Sequence, residues 1–174
     1  LRDMATVVQR VEMVRRIAGE IEDYVVELGT DGRLLALQLD ELVAGLEEER
    51  VLIVRDYLRG RGGEYEEVLQ ALDRLSSAEL LDLAAVARAL GHTVPGGSLD
   101  GTVSPRGFRL LAKVPRLPRG VADRLVEHFG SLQKLLAASV DDLQAVGGLG
   151  EARARGIREG LSRVAESSLL ERYT

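Results

Sequence analysis

The chain has 174 residues, of which 45% are apolar, 3% aromatic and 29% charged, with no cysteine and a formal net charge of −5. That length holds one or two compact domains, and the missing thiols exclude disulfides, thiol catalysis and cysteine-bound metals. His92 and His128 lack metal-ligand spacing, and no apolar run approaches the ~18 residues that a membrane span requires.

The sequence opens LRDMATVVQR, without an initiator methionine, as expected of a piece excised from a longer protein. No secretory leader is visible, so an intracellular, cytoplasmic location is expected. Met4, Val7, Val11, Val14, Ala18, Ile21, Val25 and Leu28 recur at alternating three- and four-residue steps, with Ile17 and Tyr24 widening the stripe. This predicts a long amphipathic helix, either as one member of a bundle or as a spine that pairs with a partner helix. Gly29 to Gly32 ends it as a turn.

Leu34 to Leu58 reads as one or two helices. The run Val51 to Val54 has strand propensity, but its helical flanks favour a buried helix. Arg59 to Gly63 reads as a loop. Helices are expected over Tyr65–Leu75 and Ala78–Leu90, the second with Ser76 or Ser77 as N-cap and Glu79 close behind. Carboxylates such as Glu47, Glu48, Glu66 and Glu67 read as solvated faces, and no catalytic constellation is visible in this half.

Gly, Pro, Ser and Thr cluster from Gly91 to Ser104, which marks a module boundary. The charge changes sign there: residues 1–103 hold 11 basic against 20 acidic side chains, a net −9, and residues 104–174 hold 12 against 8, a net +4. The domains are therefore set at 1–103, an acidic helical linker or spine, and 104–174, a basic module. Ser104-Pro105 suits an N-cap and first helical position, so Arg106 to Lys113 is expected to be helical with Phe108, Leu111 and Ala112 inward.

The second half contains a repeat. Val114, Leu117 and Ala122 match Val146, Leu149 and Ala154 at a spacing of 32 residues. In the later copy, Gly147, Gly148 and Gly150 form a bend that permits positive φ angles and leaves room for a ligand, and Glu151 begins a helix with Ala154, Ile157, Leu161 and Val164 inward. A plain helix cap needs one glycine, not this cluster. Amides at such a helix entrance lack intrahelical partners and face outward with the positive end of the helix dipole, so a phosphate oxygen is the natural guest. In the earlier copy Arg116 and Pro118 replace glycines, and proline offers no amide. That copy is expected to hold phosphate through Arg116, Arg119 and Lys113, and the later one through Gly147, Gly148, Gly150 and Glu151 with Arg153 and Arg155.

The order Val146-Gly147-Gly148-Leu149-Gly150 resembles the helix-hairpin-helix motif, which grips the DNA backbone without reading bases. With SPRGFRLLAKVPRLP at 104–118 and VGGLGEARARGIREGL at 146–161, the chain resembles the C-terminal part of the bacterial DNA integrity scanning (DisA) family along essentially its whole length. The resemblance implies an all-α fold: a helical linker bundle with a long amphipathic first helix, then a tandem helix-hairpin-helix domain like the second domain of RuvA. It implies binding of branched DNA such as Holliday junctions, in a family whose separate N-terminal diadenylate cyclase domain makes cyclic di-AMP from ATP with Mg²⁺ or Mn²⁺. The cyclase motifs are not found here: Asp31-Gly32-Arg33 stands in a turn, and neither histidine is flanked by two arginines. No enzymatic activity and no cofactor are expected of this fragment. The resemblance further implies a monovalent cation on the carbonyls of Gln144, Val146 and Leu149. Ala152 departs from the lysine common in such motifs and shifts weight to Arg153 and the amides. A helical interaction or oligomerisation scaffold, self-associating through the first helix, is the competing reading. A helix-hairpin-helix glycosylase would need a catalytic Asp or Lys in a base pocket beyond the hairpin.

Overall fold

The computed structural model describes residues 1–60 and 65–170, and all regular structure among them is helical, as the periodicity predicts. Two units are distinguished, Leu1–Val103 and Ser104–Thr174.

In the first unit, α1 (Arg2–Glu27) supplies Met4, Ala5 and Val8 to a core shared with Ile53, Val54, Leu72, Val86 and Leu90. Full burial of each larger apolar side chain contributes about 1.5–3 kcal/mol. Of the predicted seam, Met4 is buried and Val7 and Val11 pack against the core at partial burial, while Val14 is exposed and full burial passes to the adjacent Ala5, Val8 and Glu12. Helical spacing alone does not fix which of two adjacent apolar stripes faces the core. Farther along α1, Val14, Ile17 and Ile21 are 49%, 51% and 43% exposed and Tyr24 is 70% exposed. Helix α2 (Arg33–Val43) lies against α1 but buries no residue of its own.

Gly45 separates α2 from α3 (Leu46–Tyr57), so the stretch expected as one or two helices forms two, and Val51 to Val54 is helix rather than strand. Arg59 and Gly60 lie outside the helices, while the rest of the expected loop, residues 61–63, lies outside the described residues. After α4 (Tyr65–Arg74), the helix expected over Ala78–Leu90 is broken into α5 (Ser77–Leu80) and α6 (Leu83–Ala89). Ser76 and Glu79 close a capping box on α5, and Asp82 interrupts because its carboxylate accepts the Ala84 amide at 2.9 Å, starting a new helix.

Glu12 is fully buried, and its carboxylate receives the Arg50 side chain, which also donates to Asp73 at 2.7 Å. Burial disfavours the Arg50 charge, but hydrogen bonding to Glu12 and the charges of Glu12, Asp73 and Glu47 outweigh it and hold the guanidinium above its ordinary pKa. This ties α1, α3 and α4 together with a fixed polar geometry. His92 is a core histidine whose Nε2 meets the Tyr57 carbonyl at 2.7 Å.

The second unit builds the repeat. Helix α7 (Phe108–Ala112) and α8 (Arg119–Phe129) form the first copy; α9 (Leu132–Ala137) links it to α10 (Val140–Ala145) and α11 (Glu151–Leu170). The starts of α7 and α10, and of α8 and α11, are each 32 residues apart, the same spacing that the apolar residues show. Leu111, Val114 and Leu125 are buried, as are their counterparts Leu143, Val146 and Ile157. Packing between the copies is close: a methyl group on Gly160 of α11 would come within 2.8 Å of the Val114 side chain.

Two local expectations fail here. Helix α7 starts at Phe108, not Arg106, because Gly107 takes a left-handed φ of 119° and becomes the N-cap, while the Pro105 carbonyl instead accepts the Leu132 amide at 3.0 Å. Ala112 is exposed rather than inward, since a five-residue helix turns only Phe108 and Leu111 to the core.

Candidate nucleic-acid interface

The later hairpin is a tight turn from Val146 to Leu149, closed by the Leu149 amide donating to the Val146 carbonyl at 3.3 Å. Gly148 stands third in that turn with φ +86°, a conformation that favours glycine. Of the three glycines it alone has positive φ. The expectation that Gly147 and Gly150 also use that freedom is therefore corrected. At both, a side chain would meet nothing within 4 Å. Their openness is toward solvent, so neither conformation nor packing in the folded chain calls for glycine there.

Helix α11 then begins at Glu151, with the Ala154 amide donating to the Gly150 carbonyl at 3.0 Å. The preceding amides of Gly147, Gly148, Gly150 and Glu151 have no hydrogen-bond acceptor among the described residues. Four donors without acceptors thus stand at the entrance of a 20-residue helix, three before it and one on its first residue, where the helix dipole adds positive potential.

Residues 114–117 form the matching turn, with Arg116 at φ +60° in the position of Gly148. An L-residue in that region costs about 1–2 kcal/mol. Pro115 suits the second position of such a turn because its ring presets φ. Pro118 precedes α8, and the Ala122 amide donates to its carbonyl at 3.1 Å, as Ala154 does to Gly150. The backbone path is kept, while two amide donors are lost to the prolines.

The basic residues expected to act here differ in how committed they are. Lys113, Arg116 and Arg153 are exposed and have no ion pair or hydrogen-bonding side-chain partner among the described residues. Arg155 is paired with Glu151 at 2.6 Å across one helical turn, and Arg119 also has a partner. An exposed pair of this kind contributes under about 1 kcal/mol and yields readily to a phosphate. The expected cation ligands lie at the same bend: Gln144 near the end of α10, and the Val146 carbonyl already accepting the Leu149 amide.

Residues 1–98 match the family described as the DisA bacterial checkpoint controller linker region, and residues 108–163 match the SAM-like helix-hairpin-helix tandem. The chain belongs to the DisA family. It is 70% identical to the DNA integrity scanning protein DisA of Streptomyces coelicolor over 99% of this chain and 47% of that protein. Identity to the DisA proteins of Acidothermus cellulolyticus and Frankia alni is 68% and 65%, again over 99% of this chain. The chain spans about half the length of the curated DisA relatives it matches.

Among the described residues no helix is long and apolar enough to cross a membrane. One basic residue at the hairpin, Arg124, is not among the residues that the sequence singles out. The structure brings its Nη1 to 3.5 Å from where a Cβ on Gly148 would lie. No spacing rule pairs residues 124 and 148, because the contact exists only once the two DisA repeat copies pack.

Proposed function

We propose that residues 104–174 bind branched DNA without reading its bases, as the DNA-sensing part of a DNA integrity scanning protein, and that residues 1–103 serve as the linker. The observation that supports this most is the pair of glycines, Gly147 and Gly150, kept where neither backbone conformation nor packing needs them, beside four amides without acceptors. A side chain at either position would stand between those amides and a phosphate. The names of the relatives, DNA integrity scanning proteins, point the same way.

In this reading the two copies grip the two strands of a duplex arm. The later hairpin donates Gly147, Gly148, Gly150 and Glu151 amides to phosphate oxygens, with Arg153 and Arg155 alongside. The earlier one supplies Lys113, Arg116 and Arg119. Contacts to phosphate position a protein and carry no sequence information. The Gln144, Val146 and Leu149 carbonyls offer neutral oxygens suited to a monovalent cation, and Val146 keeps a second lone pair for it. The stretch itself is proposed to be non-enzymatic, with ATP, divalent metal and cyclic di-AMP synthesis belonging to a cyclase region of the longer protein.

The test compares a four-way junction with linear duplex at matched salt. Tighter binding to the junction is expected, with log K falling against log salt at a slope of about −4 to −7 if about four to eight phosphates are engaged. Equal affinity for both forms, or a flat salt dependence, overturns the reading.

A helical self-association scaffold is the second reading, and one observation favours it: the exposed apolar side chains Val14, Ile17, Ile21 and Tyr24 of α1 and Leu34, Leu35 and Leu42 of α2. A mass measurement that finds an oligomer indifferent to junction DNA supports the scaffold instead.

A further inference from the structure

Beyond the two hairpins and their own flanking residues, the geometry points to Arg124 as a phosphate ligand of the later hairpin, contributed across the repeat by the helix of the earlier one. This rests on the DNA-binding reading above and names a residue that the reading does not contain.

Arg124 lies on the exposed side of α8, which turns Val121, Leu125 and Val126 to the core. Its guanidinium reaches the bend of the other copy: a Cβ on Gly148 would lie 3.5 Å from Nη1 and 3.9 Å from Nη2. It has no ion pair and no hydrogen bond among the described residues. An uncompensated cation therefore stands beside a run of amides that also lack acceptors. A cation and several N–H donors thus stand together without partners among the described residues. A guanidinium with adjacent N–H groups matches the oxygens of a phosphodiester.

The spacing of the repeat adds a second, independent line. Moving Arg124 by 32 residues gives Gly156 on α11, and moving Gly148 back gives Arg116. The later bend thus has glycine in the turn and arginine on the opposite helix. The earlier bend has arginine in the turn and glycine on the opposite helix, where a side chain would meet open space. At these two pairs of matched positions each bend has one guanidinium and one glycine, placed from opposite sides of the pseudo-dyad. At the later bend the arrangement keeps the amides uncovered, because the charge is supplied from the neighbouring helix rather than from the turn residue.

Binding of a short labelled duplex and a four-way junction across a potassium chloride series tests this on the 174-residue chain. Arg124→Gln is expected to lower affinity several-fold and to make the salt slope shallower by about 1, the mark of one lost phosphate contact. Arg124→Lys keeps the charge and is expected to restore the slope with part of the affinity. Arg163→Gln, which removes an exposed arginine 3.8 Å from Glu159 on the same helix, is expected to change neither. A wild-type chain that binds normally beside an Arg124→Gln chain of unchanged slope overturns the assignment alone. A wild-type chain that binds neither DNA overturns the reading beneath it as well.

Discussion

The two bends of the second unit follow the same backbone path with opposite chemistry. At the later one, Gly148 occupies the left-handed position without strain, and the flanking glycines leave amides open. At the earlier one, Arg116 is held in that position at φ +60°, between prolines that have no amide to give. One copy has main-chain amides without acceptors, the other an exposed arginine side chain. The same turn shape is thus met by a glycine in one copy and, at a cost of local strain, by an arginine in the other.

The largest effect is expected of Gly148→Glu. The substituted residue is strained at φ +86°, and its carboxylate stands beside Arg124 in front of the amides, so loss of detectable junction binding is expected in an electrophoretic shift assay. Arg116→Glu, the matched change, should weaken binding by less because that bend offers fewer amides. An unaltered shift in Gly148→Glu counts against main-chain donation.

Arg116→Gly makes the earlier turn residue the same as the later one and separates strain from binding. Relief of the left-handed arginine, less the greater freedom of glycine in the unfolded chain, should raise stability by up to about 1 kcal/mol in urea unfolding. Affinity should fall, with a salt slope shallower by about 1. A variant both more stable and tighter in binding would show that Arg116 touches no phosphate.

Pro118→Gly returns an amide at the position of Gly150. A gain in junction affinity of no more than a few-fold is expected by fluorescence anisotropy, alongside a stability loss of about 0.5–1 kcal/mol from the freer unfolded chain. Unchanged affinity would show that the earlier bend works through side chains only.

The smallest effect concerns the helices that lead into the bends. Helix α10 is entered through a capping box in which Asp142 accepts the Ser139 hydroxyl at 2.7 Å and the Ser139 amide at 2.8 Å. The hydrogen bonds from Ser139 hold the Asp142 carboxyl below its ordinary pKa. The counterpart at α7 is Gly107, with no side-chain cap. A depressed carboxylate pKa stabilises the folded state above the ordinary value and loses that contribution as pH falls through the folded value. As pH falls below the ordinary carboxylate range, protection from hydrogen exchange relative to the free-peptide rate should therefore fall at the start of α10 before it does at α7. Ser139→Ala should remove this difference in pH dependence.

Much of the candidate site was legible without coordinates. Leu149 and Ala154 mark the bend, their partners Leu117 and Ala122 mark the copy, and the change from acidic to basic composition separates the two stretches. Arg124 was not legible, because its role depends on a neighbour 24 residues away that only the packed repeat brings near. Asp82 was misread for a different reason: inside an apolar helical pattern its competing bond to the Ala84 amide leaves no periodic trace. Gly107 likewise hid the true start of α7 behind a more conventional Ser-Pro pair.

Sequence by itself determined the all-helical character, the 32-residue repeat and the glycine bend, since each is set by neighbours within a few residues: helical spacing, a turn that needs positive φ, a proline without N–H. Tertiary structure alone decided which stripe of α1 is covered, leaving Ile17 and Tyr24 exposed while Glu12 is buried against Arg50. It also decided which arginine stands at Gly148. Those outcomes turn on which surfaces meet, and burial and charge pairing act between residues that the chain order keeps apart.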